Sequence, residues 1–570
     1  MRSPIRRSIV LTTLMAVLLG LSGTAAQAGY LDPPTRTRVA GIDVDATTIP
    51  ELQSLMNRHR LKSIQLVHFY LQRIRKVDPR LDAVITVNPR AFAEARAADA
   101  ARRAGDRRPL LGIPVIVKDN VNTTGMATTA GSWALAGSTP SDAFIIQQMR
   151  AAGAIIIAKA NLSEWANFRS APSSSGWSGI GGQTNMAYVL DRNPCGSSSG
   201  TAVAVSADLA TVGVGTETDG SIVCPAGANG VVGIKPTLGL VSRSGIIPIS
   251  AEQDTAGPMT RNVTDAAVLL GAMTGIDPAD PATAAQAGHA FADYTQFLDA
   301  DALDGARIGV WREGTYDPAV SPEVDAIMDA TVEALEAEGA IIVETRIPIE
   351  EAYGPEFTAL LCEFKDDIAD YLETYTAAGY PKTLQDLIDF NEANPELEGP
   401  WNSLIFEIAQ ETGGRADPGC TEARETTNAI ARAAIRETLA ADDLDAIIAP
   451  SNGPAWLTDP VNGDLGGDFS TFVGSSSPSA IAGWANISVP AGFVGPLPVG
   501  VSFIGGRWDE PTLIGLAYAF EQATQVRVPP EFLASISDEA TAANRGSQGR
   551  NERGAAVPGH LGRWAMPPVR

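Results

Sequence analysis

The fold is decided by residues 193–226, which read NPCGSSSGTAVAVSADLATVGVGTETDGSIVCPA. Turns rich in serine and glycine stand at both ends, and the apolar middle predicts a helix over about 200–209 and a buried strand over about 211–215. This helix–strand unit brings the two turns together, and each presents a serine, Ser197 in the first and Ser221 in the second. Glycines beside these serines permit backbone angles at which main-chain N–H groups can face one point. The pattern indicates an oxyanion-binding site.

Length and composition describe a globular protein with a large core. The chain has 570 residues, of which 45% are hydrophobic and 19% charged. Such values are typical of neither a disordered nor a fibrous chain. The formal net charge of −24 argues against nucleic acid and anionic membrane surfaces, because both require a basic surface.

The N-terminus has the pattern of an export signal. Three arginines within the first seven residues precede an apolar run over 9–21, and Ala-Gln-Ala at 26–28 is a small-residue cleavage site. Residues 1–28 are therefore predicted to be a signal peptide, which implies a secreted or periplasmic protein without a membrane anchor once processed. The run is short for a transmembrane helix, and the arginines do not distinguish Sec from twin-arginine export.

The cysteines do not form a disulfide scaffold. The chain has four cysteines, Cys195, Cys224, Cys362 and Cys420, which is few for a chain of this size. All four follow the signal. Cys195 and Cys224 flank the two serine turns and can be neighbours in space. They are either bonded to each other or packed as small buried side chains.

Strand-like and helical patterns alternate along the chain. An apolar run over 111–117 ends at Lys118, a helix is predicted over 141–152, and a second apolar strand over 154–158. This alternation is typical of an α/β core and favours a largely parallel, buried sheet. Further strands are predicted over 231–234, 239–242, 246–249, 445–450 and 485–501, and further helices over 321–338 and 511–524.

One large domain is predicted over 29–535. Its core motifs occupy 110–270, and a more polar stretch over about 276–440 is interpreted as a helical insertion beside the core. The core returns over 441–525. The last residues, 536–570, are rich in Arg, Gly, Asn and Ser and are predicted to be a disordered tail.

A nucleophilic serine needs a base, and the residues leave two kinds of base open. The chain has four histidines, His59, His68, His289 and His560, and a Ser-His-Asp triad can assemble from distant segments. Lys118 at a strand end is the alternative, provided that burial lowers its pKa from about 10.4. No paired-histidine helix, CxxC pair or phosphate-binding glycine loop occurs, so neither a metal nor a cofactor is expected.

Several motifs in fixed order resemble the amidase signature family. They are GIPVIVKDN, NPCGSSSGTA, TETDGSIVCPA, GVVGIKPTLGLVSRSGIIPIS, DTAGPMTRNVTDAA, ANISVPAGF and LPVGVSFIGG. The resemblance covers about 45–525 and is greatest to the bacterial peptide amidase branch. It implies a single α/β/α domain with a mixed central sheet covered by helices.

The resemblance also implies roles for individual residues. By motif position, Lys118 is the catalytic base, Ser197 is the bridging serine beside a cis peptide bond, and Ser221 is the nucleophile. The oxyanion hole is implied to be the backbone N–H groups of Thr218, Asp219, Gly220 and Ser221. Many relatives carry glycine at Asp219, whose carboxylate is expected either to orient the loop or to contact substrate.

The implied activity is amide hydrolysis through an acyl-enzyme with a Ser-Ser-Lys triad, acting on C-terminal amides of peptides and releasing ammonia. The alternative is a broad amidase for small aliphatic or aryl amides. An inactive binding scaffold conflicts with the intact triad, and the glutamine-hydrolysing component of a tRNA amidotransferase conflicts with the export signal. The pocket is expected to draw on 170–185, on 350–420 and on residues near Trp456 and Trp484. The partners are a small-molecule or peptide amide substrate, and the protein is expected to be a monomer or homodimer.

Overall fold

The computed structural model describes residues 37–465 and 473–536. The predicted signal peptide, 1–28, lies outside these ranges, as does the predicted tail, 536–570, except for its first residue. Both remain predictions. No helix within the described ranges is long and apolar enough to cross a bilayer.

The strands are β1 (Arg38–Val39), β2 (Ile42–Asp43), β3 (Val84–Val87), β4 (Pro114–Lys118), β5 (Ile155–Ala160), β6 (Trp177–Ser178), β7 (Gly182–Gln183), β8 (Val212–Glu217), β9 (Val232–Lys235), β10 (Thr255–Thr260), β11 (Arg307–Trp311), β12 (Ile341–Thr345), β13 (Ala446–Pro450), β14 (Asn486–Val494) and β15 (Leu497–Ile504). The helices are α1 (Ile49–Asn57), α2 (Ser63–Val77), α3 (Ala91–Arg103), α4 (Phe144–Ala151), α5 (Ser199–Ser206), α6 (Val223–Ala228), α7 (Val263–Gly271), α8 (Pro322–Ala337), α9 (Tyr353–Tyr375), α10 (Leu384–Ala393), α11 (Leu404–Glu411), α12 (Pro418–Ala441), α13 (Ser477–Ala482) and α14 (Glu510–Thr524).

Eleven strands form one mixed sheet in the order β12-β11-β13-β15-β14-β9-β10-β8-β4-β5-β3. Four neighbouring pairs are parallel, two at the β12 end and two around β4. The other neighbours are antiparallel. The mixed sheet implied by the family resemblance is confirmed, and the largely parallel sheet inferred from the apolar runs is wrong. Apolar runs report burial on both faces of a sheet, and burial does not depend on strand direction.

Helices cover both faces of the sheet. Successive residues of a strand point to opposite faces, and β13 shows this directly. Ala446 and Ile448 pack in a hydrophobic cluster with residues of α8 and α14, whereas Ile447 and Ala449 pack in a second cluster with residues of α12 and α13. The architecture is therefore three-layered, with the core strands buried on both sides.

The region 276–440 is not a purely helical insertion, and that prediction needs correction. It contributes α8 to α12, but also β11 and β12, which extend the main sheet in parallel. Part of the region forms a separate cluster of α9, α10 and α11 around Phe364 and Phe406, which also contacts Ile247 and Ile249 of the core. The region thus completes one end of the sheet, and its helices also pack against another part of the core.

One central strand, β10, has no clear sequence signal. It reads TAGPMT, and glycine and proline are both unfavourable inside strands. It nevertheless pairs with β8 on one side and β9 on the other. Gly257 is required there, because a Cβ would collide with the carbonyl oxygen of Ile234. The strands predicted over 239–242 and 246–249 are wrong, since these segments form only isolated bridges.

A buried ion pair fixes the chain just after β4. Lys159 Nζ on β5 lies 3.2 Å from Asp119 Oδ1, and both side chains are fully buried. The same amine donates to the carbonyl of Val121 and the hydroxyl of Thr128. Burial raises the pKa of Asp119 and lowers the pKa of Lys159, and their mutual attraction opposes both changes. The pair therefore anchors the residues that follow Lys118.

We expect Lys159→Met to reduce the free energy of unfolding by about 3–5 kcal/mol, because it leaves the Asp119 carboxylate buried without a counter-charge. Urea denaturation followed by circular dichroism measures the change. Lys62→Met, at an exposed lysine, is the matched control and should shift the value by less than about 0.5 kcal/mol. Equal effects of the two substitutions would contradict a structural role for the pair.

Candidate active site

The site forms where two parallel neighbours, β4 and β8, end at the same edge of the sheet. β4 ends at Lys118, and β8 ends at Glu217, directly before the Thr218–Ser221 turn. The first serine turn, with Ser197, lies immediately before α5, which packs on both strands. Strand pairing thus places the lysine beside both turns, although Ser197 lies 79 residues along the chain from Lys118.

Lys118 is fully buried, and within the described residues its amine hydrogen bonds only to oxygen atoms. Its Nζ lies 2.7 Å from Ser197 Oγ, 2.9 Å from Thr216 Oγ1 and 3.2 Å from the Thr216 carbonyl oxygen. Asn120 Nδ2 donates to the same Thr216 hydroxyl at 2.9 Å. The structure therefore brings Lys118 and Ser197 together as the sequence predicts, and it adds Thr216 as a second partner that the sequence did not identify.

The environment of Lys118 favours a neutral amine. Burial lowers the pKa of Lys118 to about 7, against the opposing attraction of Asp254 and Glu217. Burial also raises the pKa of Asp254, to about 6, and the pKa of Glu217. A buried amine with these partners can accept a proton near neutral pH.

The nucleophile turn is tied to the bridging turn. The N–H of Ser198 donates to the carbonyl oxygen of Ser221 at 3.2 Å, and the peptide bond between Gly196 and Ser197 is cis. Ser221 is 8% exposed whereas Ser197 is fully buried. Of the two serines, Ser221 is therefore the one that an incoming molecule can reach.

A disulfide and a carboxylate reinforce this arrangement. Cys195 and Cys224 form a disulfide, with their Cα atoms 6.1 Å apart. Because Cys195 precedes Ser197 and Cys224 follows Ser221, this disulfide joins the two serine turns. Glu217 Oε2 accepts the N–H groups of Ile222 at 2.7 Å and Val223 at 3.1 Å. The backbone on both sides of Ser221 is thus held in place. The second pair, Cys362–Cys420, is also bonded.

The predicted oxyanion loop is held through its side chains. The Asp219 carboxylate accepts hydrogen bonds from the hydroxyls of Ser476 and Ser477, and Thr218 Oγ1 donates to Asp254 Oδ1 at 2.5 Å. Gly220 has φ +77°, a left-handed angle, and a Cβ there would lie 3.0 Å from Ser476 Oγ. Of the two roles expected for Asp219, local orientation of the loop is the one that these contacts support.

A cleft of about 380 Å³ reaches this region. It is lined by the buried residues Asn120, Thr216 and Thr218 and by the exposed residues Asp370 and Arg415. The 350–420 region thus contributes to a cavity beside the site, whereas the described residues that line it include neither Trp484 nor any of 170–185. Trp456 packs against the Cys195–Cys224 disulfide instead.

The histidine alternative has no support in the described residues. His59 is exposed. His68 contacts the ring of Phe92, and His289 stacks on Trp508 with ring centroids 5.1 Å apart. None of the three hydrogen bonds to a site serine within the described ranges. His560 lies outside them.

Comparison with known proteins agrees with the geometry. The amidase family profile matches residues 65–514. The crystal structure of a native peptide amidase from Stenotrophomonas maltophilia superposes with a TM-score of 0.81 at 47% identity, covering 85% of this chain and 99% of that one.

Two relatives at the sequence level have different names. An Arabidopsis thaliana protein named "Probable amidase" is 40% identical over 506 residues, covering 86% of this chain and 92% of the relative. A component of the glutamyl-tRNA(Gln) amidotransferase of Halorhodospira halophila is 33% identical over 488 residues, covering 84% of this chain and 97% of the relative. The chain belongs to the amidase signature family and is a serine amidohydrolase of that family.

Proposed function

We propose that this protein hydrolyses the C-terminal carboxamides of peptides through an acyl-enzyme, with Ser221 as nucleophile, Ser197 as bridge and Lys118 as base. The observation that carries the proposal is the buried amine of Lys118 at 2.7 Å from Ser197 Oγ. A general base must lie within hydrogen-bond reach of the proton that it accepts, and this distance meets that requirement.

The hydrogen-bond capacity of a neutral amine fits its surroundings. Neutral Lys118 has two N–H donors and one lone pair. The two donors can serve the carbonyl and hydroxyl oxygens of Thr216, at 3.2 and 2.9 Å. The lone pair then faces Ser197 Oγ and accepts its proton. A charged amine has three donors and no acceptor, so it can donate to all three oxygens but cannot accept the proton of Ser197.

In the first half-reaction, Ser221 Oγ forms a bond to the amide carbon. Its proton moves to Ser197, whose own proton moves to Lys118. Backbone N–H groups of Thr218 to Ser221 stabilise the oxyanion; one such donor contributes about 3–4 kcal/mol in comparable sites. Charged Lys118 returns the proton through Ser197 to the amide nitrogen, the C–N bond breaks and ammonia leaves.

In the second half-reaction, water attacks the acyl-enzyme. Its proton follows the same path to Lys118, and a proton returns to Ser221 as the ester C–O bond breaks. The product is a free carboxylic acid. Proton transfers are balanced over the cycle, so no cofactor is required.

Peptide amides are proposed as substrates because a structure of a peptide amidase is 47% identical over 85% of this chain. We expect ammonia release from N-acylated dipeptide amides to exceed release from simple aliphatic amides and cleavage of anilides in kcat/KM. A coupled ammonia assay, with chromatography for anilide cleavage, measures this ranking. A preference for aliphatic amides or anilides would instead support a broad amidase.

In the same assay, Ser221→Ala and Lys118→Ala should each reduce kcat by at least ~10²–10⁴-fold, because each removes a group that makes or breaks a bond. Lys62→Ala is the matched lysine control and should retain full activity. Near-normal turnover in either site variant would refute the role assigned to that residue.

Activity should depend on pH through Lys118. Its pKa is lowered from 10.5 to about 7, so the neutral form dominates above that pH. We expect kcat/KM to fall about tenfold for each pH unit below about 7 and to level off above it. A rise that begins only above pH 9 would mean that Lys118 titrates as an ordinary lysine.

Export is the remaining part of the proposal. It is supported by the signal pattern of residues 1–28 and by the two disulfides, which persist in oxidising compartments. Cell fractionation and N-terminal sequencing should find a mature chain beginning at Gly29 in the periplasm or medium. Deletion of 1–28 should retain the protein in the cytoplasm. Unprocessed wild-type protein confined to the cytoplasm would contradict export.

A further inference from the structure

A glutamine outside the predicted triad contacts the oxyanion loop. Gln253 lies two residues before β10 and is 1% exposed. Its Nε2 donates to the carbonyl oxygen of Thr218 at 2.9 Å and to Glu356 Oε1 at 2.7 Å. Its Oε1 accepts from Arg424 Nη1 at 2.8 Å. Both ends of the side-chain amide are thus committed to buried partners.

The bond to Thr218 constrains a neighbouring N–H group. The Thr218 carbonyl and the Asp219 N–H belong to one planar trans peptide unit, in which they point in opposite directions. Fixing the carbonyl therefore fixes the direction of the Asp219 N–H. That N–H is one of the donors proposed for the oxyanion hole. The position of Gln253 therefore determines the direction in which this proposed donor points.

The amide of Gln253 has a defined orientation. Rotating it by half a turn would bring Oε1 against the Thr218 carbonyl, and two acceptors would face each other. Arg424 prevents this rotation, because a guanidinium only donates and so requires Oε1 on its side. Arg424 thus selects the orientation in which Nε2 faces Thr218.

Arg424 is itself held by two hydrogen bonds to one carboxylate. Its Nε donates to Glu363 Oε1 at 2.7 Å, and its Nη2 donates to Glu363 Oε2 at 2.6 Å. Such paired contacts fix the plane of the guanidinium. Glu363 also accepts from the Ser250 hydroxyl at 2.6 Å, which ties α9 to the segment before β10.

A disulfide stands beside this ion pair. Cys362, directly before Glu363 on α9, is bonded to Cys420, about one turn before Arg424 on α12. The Cα atoms of the two cysteines are 6.0 Å apart. The cross-link therefore joins the two helices where Glu363 meets Arg424 and limits their separation at that point.

We propose that Gln253 is a positioning residue for amide hydrolysis. It holds the Thr218–Asp219 peptide in the orientation that directs the Asp219 N–H at the oxyanion, and it is itself oriented by the Arg424–Glu363 pair. This inference rests on the proposed function. Because the oxyanion exists in the transition state and not in the bound substrate, the bond contributes to kcat and not to substrate binding.

The test replaces the donor while retaining the shape of the side chain. Gln253→Met and Gln253→Glu both lose the N–H that faces Thr218, and we expect each to lower kcat by about 10²-fold with KM within about twofold of wild type. If Gln253→Met does not fold, Gln253→Glu retains the acceptor for Arg424 and provides the second measurement.

A peptide aldehyde separates positioning from general damage. It forms a tetrahedral adduct with Ser221 and so requires the oxyanion donors. Its affinity for each Gln253 variant should fall by the same factor as kcat/KM. Peptide-amide binding to a Ser221→Ala background, measured by calorimetry, should be unchanged by Gln253→Met.

Gln286→Met is the matched control. Gln286 is another buried glutamine that bridges backbone groups, with Nε2 donating to the carbonyls of Gly239 and Gly275. We expect this variant to lower the thermal midpoint while leaving kcat and aldehyde affinity near wild type. A folded Gln253→Met enzyme with undiminished kcat, or with equal losses of aldehyde and substrate affinity, would overturn the inference alone. Wild-type protein that releases no ammonia from any carboxamide would overturn the proposed function as well.

Discussion

The exclusion of water from one amine governs the site. The pKa of Lys118 is lowered from 10.5 to about 7, which corresponds to a free-energy change of about 5 kcal/mol in favour of the neutral form. That change comes from burial, so it depends on everything that keeps the β4–β8 edge dry: the apolar strands, the turn before α5 and the residues anchored by the Asp119–Lys159 pair. Burial at this closed sheet edge is therefore the condition under which Lys118 can act as the proposed base.

Two other buried lysines show that burial alone does not make a base. Lys159 is paired with the Asp119 carboxylate at 3.2 Å, which opposes loss of its charge. Lys235, with a pKa lowered to about 8, donates to the carbonyl oxygens of Pro236 and Trp484. Only Lys118, among these three, contacts a serine hydroxyl that precedes a helix of the core. The partner atoms, more than the burial, distinguish the candidate base from structural lysines.

The parts of the fold that have local signals can be predicted from the sequence. Apolar runs and glycine-rich turns predict the two serine turns, the helix and strand between them, and the strand that ends in Lys118, whereas the roles of Lys118, Ser197 and Ser221 are implied by the family resemblance. β10 could not be identified in this way, because its glycine is required for close packing against β9. Strand directions cannot be predicted in this way either, since they depend on connections over tens of residues and not on the pattern within a strand.

The missed parts of the site share one physical property: their partners are distant in sequence. Thr216 lies 98 residues from Lys118, and Arg424 lies 171 residues from Gln253. Neither glutamine nor threonine has a periodicity or spacing that marks it as functional. Their roles arise only when the sheet and the cap helices have been assembled, so a single chain without its fold cannot reveal them.

Helices α9 and α12, called the cap helices here, also contribute to the arrangement of the site. Helices α9 and α12 lie outside the serine turns, yet Glu363 and Arg424 on these helices bond through Gln253 to the loop that follows β8. The Asp219 carboxylate of that loop is held by serines at the start of α13. Donors for an oxyanion are effective when they need no reorganisation during the reaction. The loop after β8 is held by contacts that lead to α9, α12 and α13, so it satisfies this condition. The cap helices α9 and α12 supply part of that rigidity.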